Sequence, residues 1–188
     1  MYPRIVRFLR HHHVLTLSTF SGQGSWTAHC FYALMPDQQS LVFTTDPETR
    51  HGREMLQNTN VSGGIMLETK VIGKIRGIQL TGRAFPATAC HSCESVVTPA
   101  KAGVPSLTTA LPRDTPHPPT LPMDRDRLSP ASVAEGRKAY LKRFPFALAV
   151  KLDLWILHID YIKMTDNRLG FGSKLLWLRE DEVGEVRG

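Results

Sequence analysis

The sequence is poor in cysteine and contains no long apolar run. Only three cysteines occur among 188 residues, and two of them form a C-x-x-C segment at 90–93, so no disulfide framework is expected. No stretch of about 18 apolar residues is present, which predicts that the chain does not span a membrane. The first residues also lack the apolar core of a signal peptide, because three histidines at 11–13 interrupt it and are expected to end a short helix. These features together predict a soluble cytoplasmic protein.

The motifs of common hydrolases and nucleotide-binding enzymes are also missing. The chain has no G-x-S-x-G nucleophile elbow and no G-x-x-x-x-G-K-[ST] loop. His29 and His51 have no nucleophile near them in the sequence, so a hydrolytic triad is not indicated. The single C-x-x-C lacks a second pair of ligands, and we therefore expect no metal site. A protein without these motifs is expected to take its reactivity from a cofactor.

The charge of the chain is positive. Its formal net charge is +6 and its pI is about 9.5, which permits an anionic partner, either a nucleic acid or a phosphorylated small molecule. The strands lack the interleaved aromatic residues that stack bases, so nucleic acid is the less favoured partner. A hydrophobic content of 41% is enough for one packed domain over residues 1–188.

Hydrophobic periodicity predicts a mainly β protein with helices, that is, an α+β fold with a barrel or sandwich of antiparallel strands. Short turns join the first three strands as a meander. The predicted helices cover 2–12, 47–58 and 131–144. The predicted strands cover 14–20, 26–34, 41–45, 61–68, 75–85, 155–165 and 174–179.

Residues 88–130 have another character. They contain eight of the chain's 13 prolines and no apolar periodicity. Basic and acidic residues balance there, so the net charge belongs to the remainder of the chain. A segment of this length and composition is typical of a disordered insertion within a domain.

The stretch from Ser40 to Gly64 holds the strongest functional signal. A short strand ends in Thr44 and Thr45, and Asp46 is predicted to cap a helix that begins at Pro47. Arg50, His51 and Arg53 lie just past this corner, where a helix N-terminus presents free N–H groups to anions. The corner is either a phosphate cradle or an ordinary capped helix with a solvated basic face.

Two glycines, Gly77 and Gly82, occur within the predicted strand 75–85. A glycine inside a strand marks a bulge, a barrel corner or a ligand against the backbone. We favour the corner, and a ligand remains the alternative.

The order of elements, with LVFTTDPETRHGREMLQNTNV after the first strands, resembles the pyridoxamine 5′-phosphate oxidase-like FMN-binding split barrels. The closer resemblance is to the bacterial YhbP-like family. Its motifs are matched by IRGIQLTGRAF (75–85), GRKAYLKRFP (136–145) and TDNRLGFGSKLLWLR (165–179). The resemblance covers both sides of the insertion and implies a split β-barrel of six to seven antiparallel strands that forms a homodimer.

The resemblance also implies a cofactor, FMN, and a class of activity. The expected function is that of an FMN-dependent oxidoreductase acting on a small molecule; the alternatives are a non-catalytic flavin- or haem-binding protein and, less favoured, a nucleic-acid-binding barrel. The chain departs from true pyridoxamine-phosphate oxidases in its helix and at its C-terminal motif. The Arg-Lys pair of the superfamily is Arg50-His51 here, which carries its second charge only below about pH 6.5. The C-terminal substrate motif is replaced by Arg-Leu-Gly-Phe-Gly at 168–172. The residues implied for the cofactor site are His29, Cys30, Phe31, Thr44, Thr45, Arg50, His51, Arg53 and Gly77.

Overall fold

A computed structural model describes residues 1–22, 24–87, 128–149 and 151–179. The C-x-x-C segment lies outside these residues, as does all of the predicted insertion except its last three positions. Leu128 packs against the apolar core, Ser129 caps the third helix and Pro130 is the first residue of that helix. The last three positions of the predicted insertion therefore belong to the described domain.

Seven strands and three helices make up the described domain, close to the predicted elements. The helices are α1 (Pro3–His11), α2 (Arg50–Gln57) and α3 (Pro130–Arg143). The strands are β1 (Val14–Ser21), β2 (Gly24–Leu34), β3 (Ser40–Thr44), β4 (Asn60–Met66), β5 (Arg76–Pro86), β6 (Leu154–Asp166) and β7 (Lys174–Leu178). Short 3-10 turns occupy Ile72–Lys74, Pro145–Ala149 and Asn167–Leu169.

The strands form one antiparallel sheet that closes on itself. Their order is β3-β2-β1-β4-β5-β6-β7, and β3 also pairs with β6, so the first six strands form a ring. The N-terminal half of β6 pairs with β3 and its C-terminal half pairs with β7, while β5 runs along the other edge. The predicted α+β split barrel of six to seven antiparallel strands is confirmed.

Two apolar clusters hold the barrel together. The larger fills its interior with alternate side chains of the strands, among them Leu17, Phe43 and Trp155, and includes Phe8 and Leu9 of α1. The smaller lies outside the ring, where α3 packs on β2, β3 and β6. Strand β3 is consequently buried on both faces, which is why it reads as an unbroken apolar run.

Gly82 marks the bulge that bends β5. The pairing of β5 with β6 shifts register between Thr81 and Gly82. A Cβ at Gly82 would lie 2.1 Å from the carbonyl oxygen of His158, so only glycine allows the two backbones to approach this closely. Of the three alternatives, the structure shows a bulge at Gly82, whereas the favoured barrel corner stays a prediction.

The start of α2 differs from the prediction. The helix begins at Arg50 rather than at Pro47, because the Thr49 hydroxyl, and not Asp46, caps it by accepting from the Gly52 N–H at 3.2 Å. The Asp46 carboxylate accepts from the Glu48 N–H at 2.8 Å and so closes a turn before the helix. Both residues are good caps, and the helix starts at the second one.

Candidate functional site

The predicted corner between β3 and α2 gathers several of the candidate residues. The Thr45 hydroxyl is hydrogen-bonded to Nε2 of His51 and lies 3.4 Å from the Thr49 hydroxyl. The Thr44 hydroxyl donates to the carbonyl oxygen of Asp153 at 3.1 Å. The corner therefore collects hydroxyl groups at a helix N-terminus, but each of them already has a partner within the chain.

Arg50 is held away from this hydroxyl cluster. Its Nε donates to the carboxylate of Glu54 at 2.9 Å, and its guanidinium lies 4.6 Å from the centre of the Trp26 ring. Glu54 is buried and also accepts from the hydroxyls of Thr19 and Ser21. The Thr19 hydroxyl and then Arg50 lower the pKa of Glu54, so this carboxylate is charged at neutral pH.

The corner has no excess positive charge. Its charged residues are Asp46, Glu48, Arg50, Arg53 and Glu54. Burial lowers the pKa of His51, which is therefore neutral at pH 7 and adds no charge. Two positive and three negative groups leave the corner at −1, an unfavourable setting for a phosphate dianion.

The remaining candidate residues are spread over the barrel. His29 and Phe31 lie on the outer face of β2, where the His29 imidazole contacts the Thr16 hydroxyl at 3.1 Å and Phe31 stacks on His13 with ring centres 5.8 Å apart. Cys30 points into the core, and burial raises the pKa of its thiol to about 11. Gly77 lies on β5, three strands from β2 in the sheet order. These residues do not meet at one place within the monomer.

A second group of charged residues, apart from the β3–α2 corner, lies between α1 and the β5–β6 end of the barrel. This arginine–histidine cleft has a volume of about 450 Å³ and is lined by Pro3, Arg4, Arg7, Phe8, His11, His12, Arg76, Met164 and Arg168. Helical spacing brings Arg4, Arg7 and His11 to one face of α1. Arg76 opens β5 and Arg168 follows β6, so the cleft joins three distant parts of the chain.

The cleft is strongly positive. Asp166, fully buried beside it, accepts from Arg4 and Arg168 at 3.3 Å. Burial alone would raise the pKa of Asp166, but the hydrogen bonds and charges of these two arginines lower it. Four guanidiniums and one carboxylate leave a net charge of +3 with the histidines counted as neutral. Arg4 moreover lies in the first turn of α1, where the helix dipole disfavours a cation and no acidic residue is present.

Two nitrogens of the cleft lack partners. Nε2 of His12 and Nε of Arg76 are buried and have no hydrogen-bond acceptor or donor among the described residues. The His12 ring packs on Phe8 with centres 4.1 Å apart. Burial, followed by the neighbouring cations, lowers the pKa of His12, so its imidazole is neutral at pH 7.

The sequence contained a weak signal for this cleft. The histidine run does end α1, as predicted, but its second histidine also lines the cleft. The repeat of basic residues at 4, 7 and 11 was the available clue. Arg76 and Arg168 could not be connected to it without the barrel topology.

Within the described ranges, no helix is long and apolar enough to cross a membrane.

No family model matches the chain. Close relatives are nevertheless found among bacterial proteins. A UPF0306 protein of Serratia proteamaculans is 36% identical over 176 residues, covering 94% of this chain and 94% of the relative. A UPF0306 protein of Photorhabdus laumondii is 33% identical over 175 residues, covering 93% and 94%.

Solved structures share the fold at low sequence identity. A haem-binding protein from Mycobacterium smegmatis superposes with a TM-score of 0.59 at 15% identity; the match covers 95% of this chain but 59% of that one. A NimC/NimA family protein from Clostridium acetobutylicum gives 0.52 at 14% identity, covering 93% and 89%. The haem storage protein HutZ of Vibrio cholerae gives 0.50 at 13% identity, covering 94% and 92%.

Proposed function

The chain belongs to the UPF0306 family, and we propose that it is a haem-binding protein whose site is the arginine–histidine cleft. The central observation is the neutral His12 imidazole, whose Nε2 has no partner among the described residues, in a cleft lined by four arginines. The shared fold with haem-binding and haem storage proteins supports the same choice over FMN.

The residues of the cleft suit the iron of haem. A neutral imidazole nitrogen commonly ligates haem iron, and Nε2 of His12 would hold the iron here: it is buried, has no hydrogen-bond partner among the described residues, and would be reached by a small opening of the cleft. The contact with Phe8 holds the ring in place. His11, whose ring centre lies 5.1 Å from that of His12, is the second imidazole at the cleft.

The arginines suit the two propionate groups of haem. Guanidinium groups bind carboxylates through paired, charge-assisted hydrogen bonds. Arg7 is exposed and free of described ion pairs, and Arg76 has an unpartnered Nε. Phe8 and Met164, both nearly buried, form an apolar base beneath the cleft. Its volume of about 450 Å³ lies within the usual range for ligand sites.

Bound haem supplies either electron transfer or the binding of small ligands at iron. The chain contributes the positions of its own groups. Asp166 fixes Arg4 and Arg168 at the rim, so two of the cations are oriented before any ligand arrives. Such preorganisation lowers the entropy cost of binding an anionic cofactor.

FMN at the β3–α2 corner is the second candidate. The hydroxyls of Thr45 and Thr49 and the first N–H groups of α2 favour it, and so does the resemblance to the pyridoxamine 5′-phosphate oxidase-like superfamily. The net charge of −1 and the engagement of Arg50 by Glu54 disfavour it. An oxidoreductase activity with FMN is therefore the alternative to haem binding.

Absorbance titration of the full-length protein with ferric haem tests the proposal. We expect a shifted Soret band in the wild type and in His29→Phe, a control that removes an exposed histidine elsewhere. His12→Phe keeps the packing on Phe8 but removes the nitrogen, and should abolish or alter the band. The spectrum and affinity of His12→Phe matching those of the wild type would refute His12 as the ligand.

A second pair of variants tests the propionate contacts. Arg7→Gln should weaken haem by about 10- to 150-fold, the effect of one charge-assisted hydrogen bond. Arg137→Gln on α3 removes the same charge from an exposed position outside the cleft and should leave affinity unchanged. FMN and riboflavin titrations complete the test: tight FMN binding that Arg50→Ala weakens, with no response to haem, would favour the second candidate.

A further inference from the structure

A second, larger cleft lies on the other side of α1. This α1–α3 cleft has a volume of about 610 Å³ and lies where the C-terminal ends of both helices meet the turn after β2. Four cations line it, Arg10 on α1 and Lys138, Lys142 and Arg143 on α3, against one carboxylate, Glu135.

Arg143 is the least exposed of these cations and has no carboxylate partner among the described residues. Its Nη2 donates to the carbonyl oxygen of His12 at 2.6 Å. Its guanidinium lies 5.6 Å from the centre of the Tyr32 ring and 5.9 Å from that of Phe144. Burial lowers the pKa of Arg143, a sign that the charge is held at a cost in free energy. An anion in the cleft would compensate that charge.

The helix dipole explains part of this charge but not all of it. Cations in the last turn of a helix are stabilising, which accounts for Arg10, Lys142 and an arginine at position 143. It does not account for Lys138, which precedes the last turn of α3. Nor does it account for a guanidinium packed between aromatic rings rather than turned to water.

The floor of the cleft is apolar. Ala33 and Met35, at the end of β2 and in the turn that follows, are nearly inaccessible and belong to the smaller apolar cluster. Leu34 and Ala139 complete this surface. An apolar floor below a cationic rim is complementary to a molecule with an apolar body and one acidic group.

We propose that the α1–α3 cleft binds an amphipathic organic anion, that is, a carboxylate or phosphate monoester attached to an apolar body. The headgroup pairs with Arg143 and the two lysines of α3. The apolar body lies on Leu34, Pro36 and Ala139, the lining residues that remain accessible above the buried Ala33 and Met35. This site is separate from the haem cleft, because Arg10 faces one cleft and Arg4, Arg7 and His11 face the other. The one contact between the clefts is the bond from Arg143 to the backbone carbonyl of His12, a group that His12→Phe retains, so the proposal does not rest on haem binding.

Calorimetry with octyl phosphate, octanoate, octanol and inorganic phosphate tests the proposal on the full-length protein. We expect octyl phosphate or octanoate to bind, and whichever binds more tightly identifies the headgroup. Octanol and inorganic phosphate should each bind at least about 10-fold more weakly, because octanol lacks the anionic headgroup and inorganic phosphate lacks the apolar body. Absence of heat with both octyl anions, or equal affinity for inorganic phosphate, would overturn the proposal.

The double variant Lys138→Gln/Lys142→Gln should reduce the affinity for the octyl anion by about 2- to 30-fold, because two exposed ion pairs are lost. Lys70→Gln/Lys74→Gln removes the same charge from exposed positions outside the cleft and should have no effect. An equal loss in both double variants would show unspecific attraction to a basic protein and refute the site. Neither double variant should change the haem titration, and His12→Phe should not change octyl anion binding.

Discussion

Replacing Gly82 by alanine probes the closure of the barrel. The added Cβ would lie 2.1 Å from the carbonyl oxygen of His158, 3.0 Å from its carbonyl carbon and 3.1 Å from Cα of Ile159. All three are backbone atoms of β6, so no side chain can turn aside to make room. The strands β5 and β6 must instead move apart at the bulge.

The size of the effect follows from this geometry. Ordinary contact begins near 3.4 Å, so the oxygen and the new methyl group must separate by about 1.3 Å. Overpacking of this kind typically costs about 1–3 kcal/mol and occasionally more. Alanine also restricts the unfolded chain more than glycine does, which raises the free energy of unfolding by about 0.4–1 kcal/mol. The difference is a net loss of up to about 2.6 kcal/mol in the free energy of unfolding, and each β5–β6 hydrogen bond that lengthens beside the bulge adds about 0.5–1.5 kcal/mol to this loss.

Urea unfolding followed by tryptophan fluorescence measures this loss. Gly64→Ala on β4 is the matched control, because its added Cβ meets nothing closer than 3.7 Å. We expect Gly64→Ala to be neutral or slightly stabilising. A Gly82→Ala variant as stable as the control would refute the close approach of β5 and β6 at the bulge.

Three further predictions concern the network below α2, the oligomer and the insertion. Glu54→Gln should lower the free energy of unfolding above about pH 4.5, and its difference from wild type should shrink in more acid solution. The reason is that the lowered pKa of Glu54 contributes stability that is lost as pH falls through the folded-state value. Glu48→Gln, a change at an exposed residue of the same corner, should behave like wild type when unfolding is measured from pH 7 to pH 3. Trp26 and Phe31 are 43% and 53% exposed, so we propose a homodimer that covers apolar strand residues, and light scattering at micromolar concentration that gives 21.1 kDa would contradict it. We also propose that residues 88–127 are dispensable: their flanks, Ala87 and Leu128, pack on the same apolar cluster, so a Gly-Ser bridge should hold the melting temperature within a few degrees, and a large loss would show that the segment belongs to the fold.

The local elements could be predicted because each obeys a simple rule. Alternation of apolar residues located the strands, the histidine run located the end of α1, and Pro145 located the end of α3. The start of α2 was misplaced because Asp46 and Thr49 are both good caps three residues apart, and tertiary contacts decide between them. Burial of Tyr32 and Trp155 could not be assigned from the sequence either: both fill the barrel of one copy and need no second chain to cover them.

The clefts could not be predicted, because each depends on contacts between distant segments. Arg4 and Arg168 meet across 164 positions of sequence through Asp166. Arg143 reaches the His12 carbonyl across 131 positions. The β3–β6 pairing that brings such residues together leaves no local mark in the sequence, since it joins two apolar strands on opposite sides of the insertion.

Strand β7 lies outside the ring, so we expect a lower free energy of local opening for β7 than for the six ring strands. The hydrogen bonds of β7 to a neighbouring strand all go to the C-terminal half of β6, whereas every ring strand is paired on both edges. Backbone amides of β7 can therefore exchange with solvent through a local opening that leaves the six-stranded ring intact. Release of β7 would lift Leu175 and Trp177 from the core and free the β6 edge at Tyr161–Thr165. An extended segment with apolar side chains at the same spacing could add to this short edge in place of β7.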